Sequence, residues 1–317
     1  MDSSELYHVR QQFTLGAYKS LVDLTLPDPN SADYTPTLVY QARAHIALDN
    51  PSAVITLIPS YTENVALKAV LGLAKYVVAT EESDQESALE ELRDLSLEIE
   101  GDDIEAEERE KGFVRVLAGT AFARAGEIEE ALETLGGTGT RENLEAVALI
   151  VQIYLSINRP DLARKELEKA KHWAEDDVLL QLIESSINLV TGKDSYSDST
   201  NFYTEQLGNP SLTSPRLLTA RGITRLLRGE IAAAKSDFEE AVEQQDNVAD
   251  AETLAGMTVA AGLGTSKNAD TEAEALFSQL TQRFPTHPLV TDTQQKASLF
   301  DELATKFEVP PLASAAA

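Results

Sequence analysis

The chain has 317 residues, of which 43% are hydrophobic and only 6% aromatic, and its formal net charge is −27. Such an acidic chain repels nucleic-acid phosphates and anionic lipid head groups, which argues against direct binding of DNA, RNA or membranes. The absence of cysteine excludes disulfides, thiolate nucleophiles and cysteine-ligated zinc, and it is compatible with a reducing compartment. A core built mainly of aliphatic side chains favours helices packed on helices.

An internal repeat runs along the sequence. Each copy has a small or aliphatic anchor, a turn residue seven positions later, and an alanine-like residue followed four positions later by a bulky one. The copies recur about every 34 residues, which is the length of a tetratricopeptide repeat. Those that begin at Gly119, Val151 and Gly222 match the pattern best, and several of the weaker copies contain insertions. In chain order, the eight anchors are Val9, Ala42, Gly72, Gly119, Val151, Ser185, Gly222 and Gly256.

The repeat spacing predicts two packed helices per copy. The small anchor lets the second helix approach the first, and the alanine and the bulky residue share one face of that second helix. Gly, Asn or Asp stands between the helices because the first helix ends in a left-handed cap. Since one hairpin cannot bury its own apolar face, neighbouring hairpins must stack. The sequence therefore predicts an all-α, tetratricopeptide-like helical-hairpin solenoid of about eight helix pairs plus a C-terminal helix.

The domain organisation follows from this array. Residues 1–317 are predicted to form a single solenoid, with N-terminal repeats over 1–99 and central and C-terminal repeats over 111–288. The stretch 81–110 contains 15 acidic and only two basic residues. Self-repulsion there predicts a solvated acidic loop at 100–110, with a docking site for a basic partner as the alternative. A C-terminal capping helix is expected over 289–309, followed by a frayed tail over 310–317.

The sequence contains no recognisable catalytic or metal-binding motif. The glycine-containing stretch 262–267 lacks the residue order of a phosphate-binding loop, and no G-x-S-x-G nucleophile elbow occurs. The paired carboxylates fall on polar helix faces, where solvation and i,i+4 pairing explain them. We therefore predict no catalytic residue, no cofactor, no metal and no enzymatic activity. None of the four histidines stands in a metal-ligand spacing: His8, His45, His172 and His287.

A concave face lined by the first helices is the predicted binding site. Residues three before, one after and four after each anchor should point into it. We expect this lining to grip an extended or hairpin element of a partner protein by side-chain burial, the alternative being that several of its residues only pack between neighbouring repeats. The predicted lining is Leu6, Arg10, Phe13, Val39, Arg43, Ile46, Leu73, Tyr76 and Val116.

A co-chaperone clamp, or another tetratricopeptide adaptor that binds a peptide of a different partner, is the alternative function. A clamp for C-terminal carboxylates needs Lys, Arg and Asn side chains that converge in one groove. Arg10 and Arg43 are the only candidates in the N-terminal groove, and the net charge opposes an acidic peptide.

Several stretches resemble one family beyond the repeat consensus. The runs 150–155 and 161–167, the opening positions from Glu5 to Tyr18, and His287-Pro288 near the end are similar to the epsilon subunits of coatomer, the COPI vesicle coat. The resemblance implies a non-catalytic coat component that binds the C-terminal domain of the alpha subunit and meets the other coatomer subunits indirectly. It also implies a role in retrograde Golgi-to-ER and intra-Golgi transport.

The expected location combines the sequence and this resemblance. Residues 1–5 lack the basic and apolar segments of a signal peptide, and no long apolar run follows. We therefore expect a cytoplasmic protein without direct membrane insertion. The resemblance implies that it lies peripherally on the Golgi membrane and on COPI-coated vesicles, held there by the coat.

Overall fold

The computed structural model describes residues 3–101, 106–136, 142–192, 195–209 and 212–307. Within these ranges the chain forms 17 α-helices and no β-strand. The first 16 helices form eight consecutive pairs, and the last one follows alone. The predicted all-α array of helical hairpins with a C-terminal helix is therefore confirmed.

The helix bounds agree with the repeat. Every anchor lies on the first helix of its pair. In chain order, the pairs are α1 (Ser4–Thr14) with α2 (Tyr18–Val22), α3 (Tyr34–Ala47) with α4 (Pro51–Leu57), α5 (Val65–Val78) with α6 (Glu82–Glu98), α7 (Glu108–Ala125) with α8 (Ile128–Gly136), α9 (Leu144–Ser156) with α10 (Pro160–Lys171), α11 (Val178–Thr191) with α12 (Tyr196–Leu207), α13 (Pro215–Leu227) with α14 (Ile231–Gln244), and α15 (Ala251–Gly262) with α16 (Ala269–Arg283), followed by α17 (Pro288–Ala304).

The chain divides into two compact units, Met1–Leu217 and Leu218–Ala317. The first contains α1 to α12 and the start of α13, and the second contains the rest of α13 and α14 to α17. The predicted acidic loop, 100–110, follows α6 within the first unit; its residues 108–110 form the first turn of α7, and its residues 102–105 are outside the described residues. The predicted tail over 310–317 is outside them too. The domain boundaries therefore stay a prediction.

Residues with a positive φ angle follow the ends of most of the first helices. Six of the eight anchors are followed, seven positions later, by a residue with positive φ, as the repeat pattern predicts. Glycine adopts this conformation without a steric cost, and Asn and Asp tolerate it better than other residues. The six residues are Gly16 (φ 77°), Asp49 (55°), Gly126 (85°), Asn158 (57°), Gly192 (99°) and Gly229 (79°).

One arginine adds a polar link between the acidic helix α6 and the next pair. Arg93 donates to Glu86 and Glu90 on its own helix, at 2.8 and 2.9 Å. It also donates to Glu127 and Glu130 at the start of α8, both at 2.9 Å. Hydrogen bonding, in which Glu86 contributes most, raises the pKa of Arg93. Part of the negative charge of this region is thus balanced locally.

Glycine anchors allow close helix contacts, most clearly around Phe238 in the second unit. A Cβ atom at Gly222 would lie 2.6 Å from the Phe238 ring, and one at Gly256 would lie 2.5 Å from it. Phe238 is fully buried, so its ring sits between two glycines of neighbouring helices with no room to shift. The small residue that the repeat requires is therefore a packing requirement.

We expect Gly256→Ala to destabilise the second unit by about 1–3 kcal/mol, because the added methyl group overpacks the core against Phe238. The change should appear as a lower midpoint of urea unfolding followed by circular dichroism. Gly262→Ala is the matched control, since it lies on the same helix and its new Cβ would meet only Ala273, at 3.7 Å. Equal losses from both substitutions would contradict the packing explanation.

Candidate partner-binding site

A cavity of about 590 Å³ lies among the first helices of the first unit. We call it the inner cavity. Its wall is built from α1, α3, α7, α9 and α11, the end of α8 and the loops before α9 and α11, and it mixes apolar residues with charged residues of both signs. A space of this size accommodates a few side chains of a partner. The lining residues are Leu6, Arg10, Pro36, Tyr40, Glu108, Arg109, Gly112, Phe113, Arg115, Val116, Leu135, Gly136, Glu142, Asn143, Leu144, Glu145, Ala146, Trp173, Asp177 and Leu179.

One wall of the inner cavity is fixed by a group that we call the Arg43 cluster, made of Phe13, Tyr40, Arg43 and Glu145. Arg43 Nη1 lies 2.6 Å from Glu145 Oε2, and the Tyr40 hydroxyl donates to Glu145 Oε1 at 2.6 Å. The Arg43 guanidinium also lies 4.3 Å from the centroid of the Phe13 ring. The cluster therefore joins α1 and α3, from neighbouring pairs, to α9, which lies three pairs further along the array.

The protonation of the Arg43 cluster follows from its burial and its charges. Burial, reinforced by the negative charge of Glu145, raises the pKa of the Tyr40 hydroxyl well above its usual range. Burial, the largest single cause, would lower the pKa of Arg43, but the charge of Glu145, the hydrogen bond to it and the neighbouring tyrosines together outweigh burial and raise that pKa. Tyr40 thus keeps its proton as a hydrogen-bond donor, and Arg43 stays a cation.

The first unit closes on its own N-terminal hairpin. Arg10 on α1 forms an ion pair with Asp177 at the start of α11. The Ser214 hydroxyl donates to the Leu15 carbonyl at 2.5 Å, and Arg216 donates to the Tyr18 hydroxyl at 2.8 Å. We call these three contacts the polar seam. They connect the first hairpin to residues about 170 to 200 positions further along the chain.

The structure places the nine predicted lining residues in different surroundings. The inner cavity brings together Leu6, Arg10 and Val116. Phe13 and Arg43 belong to the Arg43 cluster, and the other four do not line the cavity. Their assignment to partner binding stays a prediction, and the buried ones pack within the apolar core of the first unit. The buried residues are Leu6, Val39, Ile46, Leu73 and Val116.

Several cavity residues were missed because the predicted lining covered too few turns of each first helix. Residues six before an anchor lie one helical turn beyond those three before it, toward the N-terminus and on the same side. Applying that offset to the anchors of α3, α7, α9 and α11 identifies Pro36, Phe113, Glu145 and Leu179, all of which line the cavity. The signal was present in the repeat itself. Trp173 and Asp177 precede α11 in a loop, and no repeat position predicts them.

The two cations of the alternative clamp are not available to a peptide carboxylate in this arrangement. Arg10 is paired with Asp177, and Arg43 is paired with Glu145. A clamp requires cations whose charge is presented to the ligand. The geometry thus gives the co-chaperone alternative no support.

Two further features concern metals and membranes. No group of three or more His, Asp or Glu side chains suited to a metal ion occurs among the described residues. No described helix combines the length and the apolar character needed to cross a membrane.

The fold defines the class of the protein as a tetratricopeptide-type helical repeat protein. A tetratricopeptide repeat protein from Parabacteroides merdae superimposes with a TM-score of 0.53 at 13% identity, covering 81% of this chain and 96% of that one. The APC/C hetero-tetramer Cut9–Hcn1 gives a TM-score of 0.60 at 12% identity, covering 92% of this chain and 54% of that one. At these identities the likeness concerns the fold alone.

Sequence relatives identify the family. The family model described as coatomer epsilon subunit matches residues 2–308. The probable coatomer subunit epsilon of Schizosaccharomyces pombe is 29% identical over 96% of both chains. Coatomer subunit epsilon of Caenorhabditis elegans is 27% identical over 96% of this chain and 98% of its own, and epsilon-1 of Arabidopsis thaliana is 26% identical over 95% and 97%. The chain belongs to the coatomer epsilon subunit family, which confirms the resemblance and points to a structural protein of the COPI coat.

Proposed function

We propose that this chain is a non-catalytic structural subunit of the COPI coatomer that binds and stabilises the C-terminal domain of the alpha subunit. The observation that carries the proposal is the family match over residues 2–308. In this role the chain meets other coatomer subunits through the alpha subunit. It lies in the cytoplasm and peripherally on Golgi membranes and COPI vesicles, and it supports retrograde Golgi-to-ER and intra-Golgi transport.

The inner cavity is the proposed place of contact. Trp173 and Leu179 are partly exposed on its wall and can gain burial when a partner enters. Of the cations that line the cavity, Arg10 and Arg115 are already balanced by carboxylates of this chain and Arg109 also has a partner, while Arg43 in the adjoining cluster is paired with Glu145. An inserted element would therefore gain free energy mainly from apolar burial, which suits an extended or hairpin segment with hydrophobic side chains.

We expect Leu179→Asp to weaken binding of the C-terminal domain of the alpha subunit at least about tenfold, or about 1.4 kcal/mol, because the carboxylate must be desolvated in the cavity. An acidic residue is favourable in the first turn of α11, and Leu179 is partly exposed, but it also packs against the apolar cluster of α9 to α11, so circular dichroism must show that the variant keeps its fold. The measurement is a dissociation constant from titration calorimetry with the recombinant domain.

Val190→Asp is the matched control, because Val190 is exposed near the other end of α11 and does not line the cavity. It should bind like the unchanged chain. If the unchanged chain fails to bind the domain, the proposed partner is wrong. Full binding by Leu179→Asp, or an equal loss of affinity from Val190→Asp, would indicate that the alpha subunit domain does not bind in the inner cavity.

A further inference from the structure

A groove of about 310 Å³ lies between α4, the end of α5 and α6. We call it the outer groove, because α4 and α6 are the second helices of their pairs. Among the described residues, none that lines it also lines the inner cavity. Ile55 and Val78 line the outer groove and remain 45% and 39% exposed. Single exposed aliphatic side chains are common on protein surfaces, but these two meet at one concave site, where the fold leaves apolar surface open to water.

The α6 wall of the outer groove continues into a row of carboxylates. Asp84 and Glu91 line the groove, with Ser87 between them. Asp94 and Glu98 follow at the same alternation of three and four positions, which places all of these residues on one face of the helix. All are exposed. We call the four carboxylates, Asp84, Glu91, Asp94 and Glu98, the acidic stripe, and it extends about 21 Å along the helix axis.

The fold balances only one carboxylate of the acidic stripe. Glu91 Oε2 lies 2.6 Å from Lys75 Nζ. Among the residues that the structure describes, Asp84, Asp94 and Glu98 form no ion pair. Glu98 lies in the last turn of α6, where the helix dipole disfavours negative charge, and it repels Asp94 four positions earlier. The charge of these two residues does not stabilise the helix and is available to a cationic partner.

An aliphatic groove beside a negative row restricts what can bind there. The acidic stripe repels nucleic acids and anionic membranes. A second copy of this chain also carries a net charge of −27, so repulsion opposes self-association. A basic protein segment gains from both features, because an aliphatic side chain is buried in the groove while Lys or Arg side chains lie along the stripe.

We propose that the outer groove is a docking site for a basic segment of another protein. The segment inserts an aliphatic side chain beside Ile55 and Val78 and places lysines or arginines along the acidic stripe. Burial of the aliphatic side chain supplies most of the affinity, and the stripe speeds association and sets the direction of the segment. The proposal does not rest on the proposed function, since the outer groove and the inner cavity have separate linings.

Two synthetic peptides distinguish docking from a general attraction between opposite charges. The probe peptide has one central leucine, lysines three and four positions to either side of it, and alanines elsewhere. The control peptide has serine in place of the leucine. In fluorescence anisotropy titrations with the full chain, the probe peptide should bind at least about tenfold more tightly, because only leucine gains from burial in the groove. Equal dissociation constants would overturn the proposal.

Removing the apolar wall tests whether the peptide binds in the outer groove. Ile55→Ser with Val78→Ser should reduce the affinity for the probe peptide to that for the control peptide. Ile157→Ser with Val190→Ser is the matched control, because these side chains are 45% and 52% exposed and do not line the outer groove. Equal losses of affinity from the two double variants would contradict this location.

Removing charge from the acidic stripe tests its part in binding. Asp94→Asn with Glu98→Gln should weaken binding of the probe peptide about fivefold, since two exposed ion pairs with the peptide are lost. Glu239→Gln with Glu243→Gln is the matched control, because these residues are also exposed, four positions apart near the end of a second helix, α14. If both double variants weaken binding equally, the peptide responds to net charge and the stripe is not its site.

A small label in the groove reports the peptide without changing the walls. The chain contains no cysteine, so Ser87→Cys provides a unique site for a trifluoromethyl group followed by fluorine magnetic resonance. Ser236→Cys, at an exposed position on α14, is the control site. The probe peptide should shift the resonance of the label at position 87 and leave that at position 236 unchanged. An unchanged resonance at position 87 under saturating peptide would overturn the docking site.

Sedimentation of the chain alone tests the competing occupant, a second copy. We expect a monomer, because the net charge of −27 opposes self-association. A dimer that Ile55→Ser with Val78→Ser dissociates would assign the outer groove to a second copy and would overturn the proposed basic segment.

Discussion

Asp237→Ala should lower the free energy of unfolding of the second unit by about 3–5 kcal/mol, which is the usual loss of stability when one partner of a buried charge group is removed. Asp237 lies on α14 and is 2% exposed. It accepts hydrogen bonds from Arg221 at 2.7 Å and from Arg225 at 2.7 Å, both on α13. Without the carboxylate, two partly buried guanidinium groups lose their counter-charge, and α13 loses its main polar link to α14. Urea unfolding followed by circular dichroism should show an earlier transition.

Two controls accompany Asp237→Ala. Glu272→Ala removes an exposed ion pair with Lys235 in the same unit and should cost less than about 1 kcal/mol. Trp173, the single tryptophan, lies in the first unit, so its fluorescence follows the unfolding of that unit. If Asp237→Ala proves as mild as Glu272→Ala, the triad of Asp237, Arg221 and Arg225 does not hold α13 to α14.

Replacing the whole triad should recover much of the loss. Asp237→Leu combined with Arg221→Met and Arg225→Met removes the charges together with their desolvation cost, and apolar replacements of buried ion groups are often neutral or stabilising. A triple variant no more stable than Asp237→Ala would show that the arginines serve the fold by packing as well as by charge.

The sequence contained the information for the hairpins because that information is local. The anchor, the turn residue and the alanine of each repeat lie within about 20 positions, and each has a steric reason that is independent of distant parts of the chain. Gly126 and Asn158 end their helices as predicted because positive φ is inexpensive for these residues. Gly222 is an anchor because Phe238 lies against it.

The candidate site was predicted only in part because its geometry depends on the curvature of the array of helix pairs. Small rotations between successive pairs add up along the array, and their sum decides whether α1 meets α11. The sequence therefore could not indicate that Arg10 pairs with Asp177, or that Glu145 on α9 reaches Arg43 on α3. It also favoured a surface role for charged residues, which is wrong for Asp237 because an arginine pair on the neighbouring helix compensates its burial.

Glu145→Ala should destabilise the first unit by about 3–5 kcal/mol, because it leaves the mostly buried Arg43 without its carboxylate and Tyr40 without its acceptor. The contact of Arg43 with the Phe13 ring remains, but a cation–π contact contributes only about 0.5–2 kcal/mol and does not replace an anion. The loss should appear in urea unfolding followed by the fluorescence of Trp173.

Glu145→Gln and Glu142→Ala separate the causes of this loss. Glutamine keeps an acceptor for Tyr40 and Arg43 but removes the charge. The stability of Glu145→Gln should therefore lie between that of the unchanged chain and that of Glu145→Ala. Glu142 also lines the inner cavity but is exposed, and its replacement by alanine should cost less than about 0.5 kcal/mol. Similar losses from Glu142→Ala and Glu145→Ala would mean that negative charge at the start of α9, and not the Arg43 cluster, stabilises this wall. If instead Glu145→Ala alone is costly and also weakens binding of the alpha subunit domain, the Arg43 cluster shapes the cavity that the partner enters.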